Sequence, residues 1–463
     1  MEQNSNAIQT LPLWKKWMYA LGQLGWSLTS YSVGNLLTYF YLPPETSSKS
    51  IFPPFVYQGY IFGILTIIGL VLASGRLFDA ITDPLVAGLS DRNKSKFGKR
   101  RLFLAISVLP FALLSVLVFV PITGYVSVIN AIWLFFTVLL FYWFMTMYVT
   151  SFFALMSEIG HNPDERLNLS TYISITWAIG FAIGSQVYSI SAVLEKTGLS
   201  SVAAFQYTIC GFAVIGFIFM LLPIIFIDEK KYAEYHVSEE GIFKSVVTAF
   251  KNKNFLFFTL SDLGYWVALT IASTGLVYYI TTLLGLEKSL VSFMQIVMFG
   301  LSFVFYVPIN LIAKKIGKKR LIIIGFIIFM IVYVYAFALG LLPFNKLLQG
   351  WLVVILLSLP LAIFGILPNA IIADIADAHG YETGVYKAGI FFGARTFMSK
   401  LGQSIAGIIF PSVLLLGKTV SNPIGIRLTA IIAFVFAIIS LILFTKYDEK
   451  KVLATLKEKG EKV

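Results

Sequence analysis

The 463-residue sequence contains one cysteine, three histidines and few charges, with only 13% of its residues Asp, Glu, Lys or Arg. Each shortage excludes a class of protein. A single thiol, Cys210, allows neither a disulfide framework nor a multi-cysteine metal site. The histidines, His161, His236 and His379, lie between apolar runs and supply no metal set or nucleophile–base cluster, so no enzyme and no cofactor are expected. There is no GxxxxGK[ST] phosphate loop, which argues against an ATP-driven pump within this chain. Soluble chains carry roughly a quarter of their residues as charges; here 58% are apolar, and the mean hydropathy is +0.84. The chain is therefore expected to live in a bilayer.

The apolar runs are about 20 residues or longer, which suits helices and not the short alternating strands of a membrane barrel. They fall near 17–43, 55–89, 102–121, 126–158, 169–194, 203–227, 255–284, 289–313, 321–342, 347–372, 389–416 and 424–445. The predicted fold is an all-α membrane protein with 12 transmembrane helices in two six-helix bundles. The N-terminal stretch is polar, without a cleavable signal pattern. Basic residues set the orientation: with the N-terminus inside, 26 of the 35 Lys and Arg are cytoplasmic, six lie on the opposite side, and Arg76, Arg395 and Lys400 fall within helices. That bias places both termini in the cytoplasm. It also accounts for the net charge of +12 without nucleic acid as a partner.

The expected domains are an N-terminal bundle (1–227), a charged linker (228–254), a C-terminal bundle (255–446) and a cytoplasmic tail (447–463). Within the linker, Ile242, Phe243, Val246, Val247 and Phe250 recur at helical spacing and predict an amphipathic surface helix. The tail reads as a solvated appendage able to form a helix. Two basic loops, KSKFGKRR after the second run and KKIGKKR after the eighth, occupy corresponding places in the halves. Paired bundles with a pseudo-two-fold relation suggest a rocking transporter with a site between the halves.

A charge inside a spanning helix costs about 2.5–3.5 kcal/mol, so each needs a reason. The second run holds Arg76, Asp79 and Asp83 in GRLFDAITDPLV, spaced i, i+3 and i+7 and so within about 60° of one stripe. Arg76 can neutralise one acid only; the other calls for a proton, a cation or a distant base. Lys400, in the middle of the eleventh run, is a candidate partner. Arg395 lies nearer the cytoplasmic end and can snorkel, pair with an acid or touch solute. Asp262, a third of the way into the seventh run, suits either a cavity or a helix-end hydrogen bond. Thr146 near the end of the fourth run reads as a hydroxyl bonded to its own helix. Asp374 and Asp377 in ADIADAHGYETG lie near the cytoplasmic surface with Arg166, where ion pairs can form an inner gate.

The R-x-x-D-A-x-x-D-P run, the GKRR loop, Glu165–Arg166, the DIAD acids followed by ETG, and FF…K of the eleventh run together resemble the glycoside–pentoside–hexuronide:cation symporters. These are the melibiose-permease type of the major facilitator superfamily. The resemblance covers nearly the whole chain. It implies that Asp79 and Asp83 ligate the coupling cation, Na⁺ or H⁺, that Thr146 assists, and that Lys400 connects cation and solute; Arg76, from its place on the second run, is a further coupling candidate. Acids and an arginine of the sugar-transporting members fall on Ser27, Val149 and Ser174 here, so the cation half is intact and the galactoside half is not. Gln23, Trp26, Tyr142 and Tyr148 are further candidates for the solute cavity. The same second-run stretch resembles the vertebrate lysophosphatidylcholine:sodium symporters.

The expected function is secondary active symport of a sugar or glycoside-like solute by alternating access, with a lysophospholipid or other amphiphile as the alternative. Its partners are then a small solute, the coupling cation and the lipid bilayer, in a plasma or inner membrane. The protein is expected to work as a monomer.

Overall fold

The computed structural model describes residues 10–45, 51–61, 63–161, 163–233, 249–383 and 388–460. The linker helix expected at 242–250 lies almost wholly outside them. Among the described residues, nine helices are long and apolar enough to cross a membrane. In chain order the helices are α1 (Leu13–Tyr41), α2 (Ile67–Arg92), α3 (Arg101–Leu117), α4 (Val128–Ile159), α5 (Pro163–Gly184) and α6 (Val187–Lys196). They continue with α7 (Ser201–Phe226), α8 (Glu229–Tyr232), α9 (Lys253–Tyr278), α10 (Lys288–Ile316) and α11 (Lys318–Ala338). The last four are α12 (Lys346–Thr383), α13 (Ala388–Leu414), α14 (Ile424–Thr445) and α15 (Glu449–Gly460).

Apolar composition made these segments helical, because a helix satisfies its own backbone polar groups without water. Polar side chains set where they begin. Ser127 accepts a hydrogen bond from the Ile129 backbone N–H, Ser200 from Ala203 and Asn252 from Phe255, each at a helix start. Asn130 ties down the turn before α4, accepting from the Thr123 N–H at 2.9 Å and donating to the carbonyls of Thr123, Tyr125 and Phe55.

Three apolar runs differ from their expected shapes. Residues 55–66 do not extend α2; they include a short antiparallel hairpin, Tyr60–Ile61 with Leu65–Thr66, turning at Gly63 with φ +78°. The fifth run breaks at Ser185–Gln186 into α5 and α6. The tenth run continues to Thr383, so Asp374 and Asp377 lie on a helix and not in a loop. The helix carries past the end of the apolar stretch because Ala373, Ala376 and Ala378 keep its propensity up and no glycine interrupts it there before Gly380.

The chain divides into two compact units. Unit 1 comprises Met1–Pro43, Phe52–Tyr57 and Leu77–Glu239; unit 2 comprises Pro44–Ile51, Gln58–Arg76 and Glu240–Val463. In unit 1, α1 packs on α5 and α7, and α3 on α4 and α7. Small residues permit the close approach: a Cβ on Gly25 would sit 2.5 Å from the Gly216 carbonyl oxygen. In unit 2, α9 packs on α13 and α14, and α12 on α10 and α11. The hairpin and the first part of α2 belong to this unit. Tyr60 donates to the Ser412 carbonyl at 3.0 Å, and Ser404 of α13 donates to the Ala73 carbonyl at 2.9 Å. Lys418 pairs with Glu45 at 3.1 Å beside a backbone bridge between Glu45 and Thr419.

The two basic loops fold alike. Gly98 (φ +124°) and Gly317 (φ +91°) each adopt a backbone conformation that suits glycine, and a basic helix start follows. Glu229 accepts from the backbone N–H groups of Arg100 and Arg101 at 2.8–2.9 Å; Glu449 accepts from those of Lys318 and Lys319 at 2.8 and 3.1 Å. A carboxylate at a helix N-terminus satisfies orphan donors and complements the dipole. Both glutamates stand in the same tetrapeptide, DEKK, at 228–231 and 448–451. The tail is thus a largely exposed helix, and its first residue caps α11.

Candidate functional site

Unit 1 places a carboxylate and two hydroxyls in contact inside apolar helices. Thr146 Oγ1 on α4 donates to Asp79 Oδ1 on α2 at 2.6 Å. Thr82, one turn beyond Asp79, lies 3.3 Å from the Thr146 hydroxyl and 3.2 Å from the Asp79 carbonyl oxygen. All three side chains are buried, Asp79 fully so. Thr146 is therefore not simply back-bonded to its own helix. Thr82 carried no signal in the sequence, although its place three residues after Asp79 on the same stripe was available. Asp83, half-buried, follows on the next turn, directly before Pro84. Carboxylate and hydroxyl oxygens are the donors that hard cations take, so the set fits Na⁺ and equally a proton on the acid. Among the described residues no group of three His, Cys, Asp or Glu is placed to hold a metal ion.

The other unit 1 candidates occupy varied places. Ser27 is buried, donates to the Leu24 carbonyl at 3.1 Å, and packs against Gly180 of α5, where an added Cβ would stand 2.0 Å from its Oγ. Tyr148 is buried and donates to the Met220 carbonyl at 2.9 Å, joining α4 to α7. Ser174 is exposed and donates to Ser170 O of its own helix at 2.9 Å. Val149 is half-buried and Tyr142 buried. Gln23 Oε1 and the Trp26 indole nitrogen are buried without a hydrogen-bond partner among the described residues. The Arg166 side chain lies outside the described residues.

Unit 1 also holds a buried ionic cluster built on the GKRR loop. Arg100, 6% exposed, donates from Nε and Nη2 to Glu158 at 2.9 and 2.8 Å and from Nη1 to Ser90 at 2.9 Å, and it contacts Asp91. A planar guanidinium suits such a multi-armed role. The corresponding ion pair of unit 2 is simpler: Lys318 Nζ reaches Asp374 at 2.5 Å. Asp377 is exposed.

Unit 2 contains a second intramembrane centre. Arg395 on α13 grips Asp262 on α9 from two nitrogens, Nε to Oδ2 at 2.9 Å and Nη2 to Oδ1 at 3.2 Å. Its Nη1 donates to Asn369 Oδ1 on α12 at 2.6 Å. Of the openings left by the sequence, pairing with an acid is realised. Asn369 was missed, because an isolated Asn in an apolar run carries no distinguishing pattern. Lys400 and Arg76 are half-buried on α13 and α2.

Residues 18–447 match the family described as MFS/sugar transport protein. The chain belongs to that family. Among its relatives, the putative sulfoquinovose importer of Escherichia coli K12 is 25% identical, the match covering 75% of this chain and 73% of that one. The isoprimeverose transporter of Lactiplantibacillus pentosus is 23% identical, over 97% and 92% of the two chains. A solved bacterial homologue of the human lysosomal transporter Spinster, in an inward-facing and unoccupied conformation, superposes with a TM-score of 0.68 at 11% identity. That superposition covers 96% of this chain and 99% of the other. The fold is thus of the major facilitator type, and membership of this family with multiple apolar helices makes the protein an integral multi-pass membrane transporter.

Proposed function

We propose that the protein couples the inward movement of a sugar or glycoside-like solute to a monovalent cation held at Asp79, with Asp83, Thr146 and Thr82 completing the oxygen set. The carrying observation is the fully buried Asp79 carboxylate with the Thr146 hydroxyl 2.6 Å away on a neighbouring helix. An ionised acid in that setting is costly, and a bound cation or proton relieves the cost. Occupancy of the site then alters the relative stability of conformations, which is what coupling requires.

The proposed arrangement is twelve spans in two six-helix bundles, with both termini on the Lys/Arg-rich cytoplasmic face, as the charge bias supports. Arg76 on α2 and Lys400 on α13 are the residues proposed to couple cation and solute. The Lys318–Asp374 pair, on the same face, contributes to inner-gate closure. One charge falling through 100 mV supplies about 2.3 kcal/mol, enough for roughly 50-fold accumulation of a neutral solute at 1.36 kcal/mol per tenfold.

The test is uptake into proteoliposomes under imposed Na⁺ or H⁺ gradients. Asp79→Asn is expected to abolish gradient-driven accumulation while solute counterflow persists at a reduced level. Gradient-driven accumulation by the Asn variant equal to that of the parent protein would sink the assignment.

A further inference from the structure

We propose that Arg395 is the solute-recognising group of unit 2 and that Asp262, by balancing its charge, makes the protein prefer neutral polyhydroxy solutes to acidic ones. The proposal rests on the solute-symport reading and adds a residue that determines specificity.

The geometry gives the centre one covered side and one open side. The Asp262 side chain is 2% exposed and that of Arg395 14%, whereas Asn369 is exposed. A guanidinium carries five N–H groups. Asp262 takes one from Nε and one from Nη2, and Asn369 takes one from Nη1, which leaves one N–H on each terminal nitrogen unengaged among the described residues. Both sit on the terminal nitrogens, and neither is taken up by Asp262.

Other donors lie on or against the helices that carry the centre. The Asn369 amide NH₂ has no partner among the described residues. Tyr306 makes no hydrogen bond there either, and its hydroxyl stands beside Gly365, one turn before Asn369, where an added Cβ would be 2.7 Å from it. The Trp266 indole nitrogen, one turn beyond Asp262 on α9, is buried and has no hydrogen-bond partner among the described residues. A pair that only joined two helices would need none of these groups.

Charge decides what such a site accepts. A lone guanidinium would attract a carboxylate strongly, as planar forks do. Arg395 already has its counter-charge, and a second carboxylate arriving at the open edge meets Asp262 as a like charge, which disfavours it. A sugar hydroxyl accepts from the same fork without that penalty. Asp262 thus acts through Arg395 as a positioning and charge-balancing residue.

The experiment measures binding to the purified full-length protein by thermal shift and calorimetry, without any ion gradient. The probes are neutral pyranosides, each paired with the corresponding uronate at constant ionic strength. In the parent protein each uronate is expected to bind at least about tenfold more weakly than its neutral partner. Asp262→Asn should move that ratio toward the uronate by about tenfold or more, while Arg395→Gln should lose both ligands. Asn369→Asp, adding a second acid, should widen the preference for the neutral member, and it serves as the test if Asp262→Asn fails to fold. A parent protein that prefers uronates, that binds no neutral member, or whose ratio is unmoved by these acid changes would overturn the proposal. Loss of cation dependence with the ratio intact would instead refute the symport reading alone.

Discussion

Replacing Thr146 by Val removes the hydroxyl that touches Asp79 and keeps the side-chain volume. The bond is short, 2.6 Å, and both residues are buried, so water does not substitute for it. Hydrogen bonds to charged groups contribute about 1.5–3 kcal/mol. If Thr146 is an oxygen ligand of the cation, a loss of that size raises the half-saturating cation concentration about 10- to 150-fold. Thr146→Ser keeps the oxygen and should remain within roughly threefold of the parent, the residual change reflecting a freer rotamer. The assay is initial-rate uptake in proteoliposomes at fixed solute and varied Na⁺, repeated against pH at fixed Na⁺. A valine variant with unchanged half-saturation for both ions would refute the reasoning, since the hydroxyl would then be only a fastener between α2 and α4. A drop in maximal rate alone, with half-saturation unmoved, would count against it as well.

Two further outcomes follow from unit 1. Arg100→Ala leaves Glu158, 7% exposed at its side chain, without its partner, and should destabilise the protein by about 3–5 kcal/mol, read as a lowered melting temperature in detergent. Arg100→Lys should recover only part of that loss, because an ammonium cannot reproduce the fork that spans Glu158, Ser90 and Asp91. Ser27→Asp should reduce folded yield without creating galactoside transport, because Ser27 packs on Gly180 and a larger charged side chain has no room there. Galactoside uptake by a well-folded Asp variant would contradict this.

Much was legible before any coordinates. Apolar run length dictates helices, because in hydrocarbon a backbone must satisfy itself. Asp79 and Asp83 stood out since a charge within a span demands a reason. Other features were present in the sequence but unreadable as such. The DEKK repeat at 228–231 and 448–451 looks like two unrelated polar stretches until Glu229 and Glu449 are seen capping α3 and α11. The extension of α12 through Asp374 was hidden because the hydrophobic signal stops before the helix does.

What the sequence determined by itself was the class of protein, the placement of most spans and the short list of buried charges, all of which follow from local composition and helical period. What only the tertiary structure decided was which of those groups meet. Thr146 is 67 residues from Asp79, and Arg395 is 133 residues from Asp262. Helix packing sets those encounters through side-chain shape over the whole contact, and no spacing rule reaches between helices that far apart in the chain. Whether a buried hydroxyl bonds its own backbone or a neighbour's carboxylate is settled by that packing, and with it the step from a list of charges to a site.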